Sequence, residues 1–301
     1  MKILVTGSTG LLGRALSHHL ALSHEVIGLS RHAPEAVSAG SHVCCDLEHA
    51  EQTCDVMQRL QPELVIHTQA LTDIDRCERE PASARAQIVE TTANVIRALR
   101  GTSKTLLIHL STDNLFDGTK AAPYDETDEP HPINVYGRCK LESERLALSD
   151  PRSVVVRTSL LFGEGRMNFC NQVLSQLRAD RPVETFVDQV VSPTYTVDLA
   201  QAVGELGVVL WRSPEVPRPR LYHIANTGCC TRVVFAQRIA DLMGGSRDLI
   251  QAIPMARQGR PATRPPFCAL TSRYLVQIIG RSLRSWDEAL QAYLGHHPWL
   301  N

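Results

Sequence analysis

The sequence predicts an α/β protein, a doubly wound parallel sheet with a smaller, mostly carboxyl-terminal α/β substrate unit. Three observations carry that expectation. Short apolar runs alternate with amphipathic stretches through the first half of the chain, as in repeated strand and helix units. A glycine-rich turn directly follows the first apolar run. A central apolar run, Leu107-Ile108-His109-Leu110, ends in the hydroxyls of Ser111 and Thr112, at the strand end where open α/β sheets bind ligands.

Residues 2–6 read as a short buried strand, and the turn Gly7-Ser8-Thr9-Gly10-Leu11-Leu12-Gly13 leads into an amphipathic helix through about residue 22. Further strands are expected at residues 25–30, 42–45 and 63–67, then a helix over 81–99 and a fifth strand delivering Ser111 and Thr112. A helix begins at Asn134, and residues 153–158 form a sixth strand. Beyond Gly165 the pattern is less regular, with helices expected at 168–177, 232–243 and 285–293 and strands at 183–187 and 221–225. The proline- and acid-rich loop 122–132 is long enough to have a function, and closure over a substrate is expected. The expected division is a dinucleotide unit of residues 1–165 with a returning segment at about 190–225, and a substrate unit of 166–189 and 226–301.

With 301 residues, 43% hydrophobic and 21% charged, the chain can bury a substantial core and has the composition of a soluble globular protein. A formal net charge of -1 gives no electrostatic case for a nucleic-acid or membrane partner. Met1-Lys2-Ile3-Leu4-Val5 reads as a strand rather than a secretion signal, and no apolar run approaches the ~18 residues of a membrane span. Nine cysteines, with Cys44-Cys45 and Cys229-Cys230 adjacent and no C-x-x-C pair, point to free thiols in a reducing cytoplasm. His18-His19 and His296-His297 lack further ligands at metal-site spacing, so no metal is expected.

Gly7, Gly10 and Gly13 fit G-x-x-G-x-x-G, a variant of the dinucleotide fingerprint. Gly7 permits the tight turn, Gly10 lets the backbone approach a pyrophosphate, and Gly13 lets the helix pack on the strand with its amino terminus toward the anion. At the end of the second strand stands Arg31, where an acid would hold a ribose 2′-hydroxyl. A guanidinium suits a 2′-phosphate, so NADP(H) is the preferred cofactor and NAD(H) the alternative. Tyr136 and Lys140 lie one helical turn apart on one face. A phenol titrates near ~10, and an ammonium beside it favours the phenolate, so Lys140 is expected to lower the Tyr136 pKa. Thr112 would then hydrogen-bond a substrate oxygen while Tyr136 transfers a proton.

Thr112, Tyr136 and Lys140 in this arrangement resemble the catalytic group of the short-chain dehydrogenase/reductase superfamily, in its extended, sugar-nucleotide-handling branch with a Rossmann-type sheet. Over nearly its full length the chain is similar to the dTDP-4-dehydrorhamnose reductase family. The motifs that carry this are Gly7 to Gly13, Ala70-Leu71-Thr72-Asp73-Ile74-Asp75, Ser111-Thr112-Asp113-Asn114-Leu115-Phe116-Asp117-Gly118, Asn134-Val135-Tyr136-Gly137-Arg138-Cys139-Lys140, Asn168-Phe169 and Asp188-Gln189-Val190-Val191-Ser192-Pro193-Thr194. Related dehydratases carry an acidic pair after the threonine, whereas Asp113 here is followed by Asn114, which favours simple reduction.

The resemblance implies NADPH-dependent reduction of a nucleotide-linked 4-keto-6-deoxy sugar in dTDP-rhamnose biosynthesis, with Tyr136 as proton donor, Thr112 polarising the ketone and Lys140 holding the ribose. It implies cofactor contacts at Gly7, Thr9, Gly10, Leu11, Leu12, Gly13, Arg31, Thr68, Gln69, Ala70, Tyr136 and Lys140, and adenine-side contacts at Asp46 and Leu47. Substrate contacts are implied at Thr72, Asp113, Phe116, Asn168, Phe169 and Gln189, with Arg264 as a diphosphate partner. A homodimer is the candidate assembly. The chain departs from the family pattern at Asn114, Leu160 and Val191, where an aromatic residue, a tryptophan and a glycine are usual, and also at Gln69 and Glu90, so the sugar pocket is reshaped. Two alternatives stay open: a non-catalytic NADP-binding regulatory subunit resembling the methionine adenosyltransferase β subunit, and a reductase of a non-nucleotide carbonyl compound.

Overall fold

The computed structural model describes residues 1–33, 40–102, 104–214 and 216–295; the His296-His297 pair lies outside them. The chain runs β1 (Lys2–Thr6), α1 (Leu11–Leu20), β2 (Glu25–Ser30), β3 (Ser41–Cys44), α2 (Ala50–Leu60), β4 (Leu64–His67), α3 (Ile74–Arg79), α4 (Pro81–Arg85), a π turn over Ala86–Glu90, α5 (Thr91–Leu99), β5 (Leu106–Thr112), α6 (Val135–Leu148) and β6 (Ser153–Thr158). It continues with β7 (Leu161–Phe162), α7 (Phe169–Arg178), β8 (Val183–Phe186), β9 (Val190–Val191), β10 (Thr194–Tyr195), α8 (Thr196–Arg212), β11 (Leu221–His223), β12 (Cys230–Thr231), α9 (Arg232–Met243), β13 (Ile250–Ile253), α10 (Leu275–Ile279) and α11 (Trp286–Gly295).

Seven strands form one sheet in the order β11-β6-β5-β4-β1-β2-β3, and every pairing in it is parallel. The expected doubly wound sheet is therefore present. Strands buried on both faces read as apolar runs because helices cover both sides. Ile3 and Val5 pack with Leu12, Leu16, Leu199 and Val203 of α1 and α8 on one face. Leu4 packs with Met57, Val95, Leu99 and Ala147 of α2, α5 and α6 on the other. Each such aliphatic side chain contributes roughly 1.5–3 kcal/mol of burial free energy. The strand order reverses between β1 and β4, and ligands bind outside the carboxyl ends at such a point.

Besides α2, β13 and four two-residue strands that the sequence reading does not name, three differences bear on the architecture. The helix expected over residues 81–99 is one helical stretch interrupted by the π turn, where Thr91 and Thr92 hydroxyls donate back to Gln87 and Ile88 carbonyls. α8 is a 17-residue helix where the sequence reading names none, and it contains Gly204 and Gly207. Both are contact points: a Cβ at Gly204 would stand 2.6 Å from Leu20, and one at Gly207 would stand 2.7 Å from Leu64. The loop 122–132 does not close over the crevice. Tyr124 pairs with Leu270, and buried Glu126 accepts from the His223 and Arg273 amides, which tie the loop to the far end of the sheet.

The carboxyl-terminal elements have their own core. β8 pairs with β13, and α7, α9 and α11 close on Phe162, Phe235 and Tyr293.

Candidate active site

The turn after β1 shows why glycine is needed there. Gly7 has φ +67°, and a Cβ on it would stand 2.9 Å from Gln69 N. A Cβ on Gly13 would stand 2.1 Å from Gly7 O. Gly10 N donates to Gly7 O at 2.8 Å, and no side chain caps the amino terminus of α1. Helix-end amides without a capping side chain are the kind of group that attracts an anion.

A cavity of about 1170 Å³ opens from this turn, and Gly7, Thr9, Gly10, Leu11, Leu12, Gly13, Arg31, Thr68, Gln69, Ala70 and Thr72 line it. Thr112, Asp113, Tyr136, Lys140, Asn168, Phe169, Gln189 and Arg264 line the same cavity. Three expected site residues are not in its wall. Phe116 is fully buried, stacked on Tyr124 with centroids 4.0 Å apart, because the 3-10 turn Asp113–Leu115 swings it away from the strand end. Leu47 is 3% exposed and belongs to the core between sheet, α2 and α5. Asp46 instead holds Arg31 at 3.2 Å, with Glu48 as the second carboxylate on that guanidinium.

The catalytic candidates meet at the end of β5 and the start of α6. Asn134 caps α6 by accepting from Gly137 N, which fixes Tyr136 in the first turn and Lys140 one turn later. Thr112 stands near enough to the Tyr136 phenol to favour its charged form, against the rise from burial. Thr112 Oγ1 donates to Asp113 Oδ1 at 3.1 Å, and Ser159 Oγ donates to Asp113 Oδ2 at 2.6 Å. Asp113 is 5% exposed, so burial raises its pKa while these bonds oppose the rise. It lines the cavity, and its carboxylate aims the Thr112 hydroxyl.

Lys140 does not act on Tyr136 as expected. Its Nζ donates to Leu110 O at 2.6 Å and lies 3.4 Å from His109 Nε2. Burial pushes Lys140 down to about 8, against which Glu144 pulls upward. Burial also pushes the Tyr136 phenol well above its usual value, and Lys140 is not among the groups that shift it. Desolvation of the phenolate outweighs a lysine directed at a carbonyl. The phenol is therefore protonated at neutral pH, which is the state of a proton donor.

The departures Gln69, Asn114, Leu160 and Val191 line the cavity. Glu90 does not; it pairs with Arg85 on the surface. Sequence reasoning overlooked Arg232, Arg260, Cys268 and Gln87, all in the wall. Arg232 opens α9, and a cation there opposes the helix dipole, a signal that could have marked it. Gln87 lies on the π turn, which a helical pattern does not announce.

Residues 1–297 match the family model described as the RmlD substrate binding domain. The chain is 31% identical over 296 residues to the spore coat polysaccharide biosynthesis protein SpsK of Bacillus subtilis, covering 97% of this chain and 96% of that protein. It is 32% identical over 296 residues to the dTDP-4-dehydrorhamnose reductase of Mycolicibacterium smegmatis, covering 96% of this chain and 84% of that enzyme. The structure of dTDP-4-dehydrorhamnose reductase from Bacillus anthracis in complex with NADP superposes with a TM-score of 0.85 at 25% identity, covering 98% of this chain and 99% of that one. A glycine turn and a Thr, Tyr and Lys group sharing one cavity, with these likenesses across the whole chain, place the protein in the family of the RmlD substrate binding domain, that of the dTDP-4-dehydrorhamnose reductases.

Proposed function

We propose that the chain is an NADPH-dependent reductase of a nucleotide-linked 4-keto-6-deoxy sugar. The observation that carries this reading is that Thr112, Tyr136 and Lys140 line the same cavity as the Gly7 to Gly13 turn. Relatives named dTDP-4-dehydrorhamnose reductase, one of them in complex with NADP, support the same substrate class and cofactor.

The residues fit the cofactor. The turn would meet its own backbone if Gly13 carried a Cβ, α1 has an uncapped amino terminus, and Gln69 Oε1 is buried without a partner in the cavity wall. In this reading the turn and the first turn of α1 hold the pyrophosphate, Lys140 holds the ribose, and Arg31 holds the 2′-phosphate. Arg31 is 43% exposed, so releasing one of its two carboxylates costs about 0–1 kcal/mol. NADPH, when bound, supplies the hydride that the ketone carbon receives. Thr112 turns its one hydroxyl proton from Asp113 Oδ1 to the ketone oxygen. Tyr136 gives that oxygen its proton, and Lys140 acts through the ribose it holds rather than on the phenol.

The pairing of β11 with β6 and the packing of α8 on α1 support residues 190–225 as a return to the dinucleotide unit of residues 1–165. Nine free cysteines support a reducing cytoplasmic setting.

The test is NADPH consumption, followed by absorbance, over a panel of 4-keto-6-deoxy sugar nucleotides. Wild-type protein should consume NADPH, and Tyr136→Phe should lower turnover on the order of 10³-fold with NADPH affinity unchanged. Equal turnover in the variant would defeat the assignment. Consumption with simple ketones alone would leave a reductase of non-nucleotide compounds.

A further inference from the structure

Three guanidinium groups from the carboxyl-terminal half line the cavity, those of Arg232, Arg260 and Arg264, and their partners differ. Arg264 is committed to Asp75: its Nη2 lies 2.9 Å from Oδ2, and its Nη1 donates to Oδ1 at 3.0 Å and to Ala262 O at 2.9 Å. Arg260 reaches the same carboxylate at 3.7 Å while stacking on Phe186 at 5.3 Å. Arg232 has no carboxylate partner among the described residues. Its Nε donates to Gln189 Oε1 at 2.6 Å, and its plane lies over the Phe169 ring, 4.7 Å from the centroid. Those two contacts fix the orientation of the fork and leave its outer nitrogen atoms for a ligand.

The charge count gives the ligand class. Asp75 neutralises one of the three arginines, and of the wall's other carboxylates Asp113 faces Arg232 without an ion pair and Glu184 pairs with none of the three, so Arg232 and Arg260 hold their charge without a bonded counter-ion of their own. Burial brings Arg232 down to about 10, with Cys268 and Asp113 pulling upward and Arg260 and Arg264 adding repulsion. A half-buried cation with no carboxylate bonded to it is costly, and a dianion with oxygen atoms in a planar fork's reach lowers that cost. An arginine in the first turn of a 12-residue helix also opposes the dipole, so helix stability does not account for it.

We infer that Arg232, with Arg260 beside it, is the seat of the substrate's diphosphate, and that Arg264 is a strut holding its loop to Asp75. The identity of the dianion rests on the nucleotide-sugar reading. This differs from the expectation that Arg264 takes the diphosphate, because a guanidinium already bonded twice to a carboxylate has little charge left to offer.

The experiment is calorimetric titration of dTDP, thymidine and inorganic pyrophosphate into the full chain saturated with NADPH, for wild type, Arg232→Met, Arg232→Lys and Arg264→Met. Arg232→Met should weaken dTDP and pyrophosphate binding by about 30-fold, leave thymidine unchanged and retain NADPH affinity, which reports an intact fold. Arg232→Lys should recover part of the loss, and Arg264→Met should lose less than Arg232→Met. Unaltered dTDP binding in Arg232→Met, an equal loss for thymidine and dTDP, or a larger loss in Arg264→Met would overturn the inference. Pyrophosphate held through Arg232 by a protein that reduces no 4-keto sugar nucleotide would keep this inference and remove the reductase reading. Turnover with unchanged KM in Arg232→Met would do the reverse.

Discussion

The two ends of the cavity use different materials. At the glycine turn the wall is backbone and short hydroxyl side chains, carried on strands of four to seven residues that pair along their whole length. At the opposite end it is long side chains: Arg232, Arg260 and Arg264, reaching from a helix start and a loop, with Gln189 beside the two-residue strand β9. Backbone on a packed sheet cannot be repositioned by one substitution without loss of the fold. Side chains on short elements can be exchanged one at a time. In the proposed reading, cofactor binding is thus tied to stability and substrate choice is separable from it.

Ion pairs give the sharpest way to break that comparison. Arg157 and Glu144 form a bidentate pair, with bonds of 2.9 and 2.8 Å, from side chains 4% and 2% exposed beneath the dinucleotide half. Glu144→Gln leaves a buried guanidinium half-satisfied and should destabilise the protein by about 3–5 kcal/mol in urea unfolding. Asp241→Asn removes the partner of exposed Arg247 in the other half and should leave the urea midpoint in place. Similar losses from the two would remove the distinction.

The next effect is on binding. Gly13→Ala puts a methyl group into Gly7 O and should weaken NADPH, followed by fluorescence titration, by about 100-fold or prevent folding. Arg232→Met, at the opposite end, should leave NADPH affinity unchanged.

A smaller effect is expected in the pH profile. Lys140 is held down to about 8 by burial, so its charge is present below that pH and is lost above it. In the proposed reading Lys140 holds the ribose only while charged, so kcat/KM should fall above about pH 8, by roughly tenfold per unit at most. A profile flat to pH 10 would separate Lys140 from the chemistry. Folding has the opposite sign for this group. The unfolded chain binds its proton more tightly, so burying Lys140 costs stability below pH 8, and that cost is relieved as pH rises toward 10.5.

How much was legible in the sequence follows the same contrast. β2, β6 and α9 have the bounds that their apolar patterns announce, because repeated local contacts write a period into the chain. The glycine turn and the Thr112, Tyr136 and Lys140 group were legible because their chemistry fixes residue type and spacing. α8 was not, since Gly204 and Gly207 serve Leu20 and Leu64, residues distant in sequence. Phe116 looked like a pocket residue until a 3-10 turn took it into the core. The Tyr136 shift ran opposite to expectation because burial, which decides it, is a property of the whole fold. Arg232 was hidden as the first residue of an otherwise ordinary helix.

The most direct test of the chemistry is isotope transfer. NADPH carrying deuterium on the transferable position of its nicotinamide ring is incubated with the wild-type chain and a 4-keto-6-deoxy sugar nucleotide, and the product is read by mass spectrometry. One deuterium per product molecule, bonded to the former carbonyl carbon and absent with Tyr136→Phe, is the predicted result. Product without deuterium, or label transferred equally well by the variant, would contradict it.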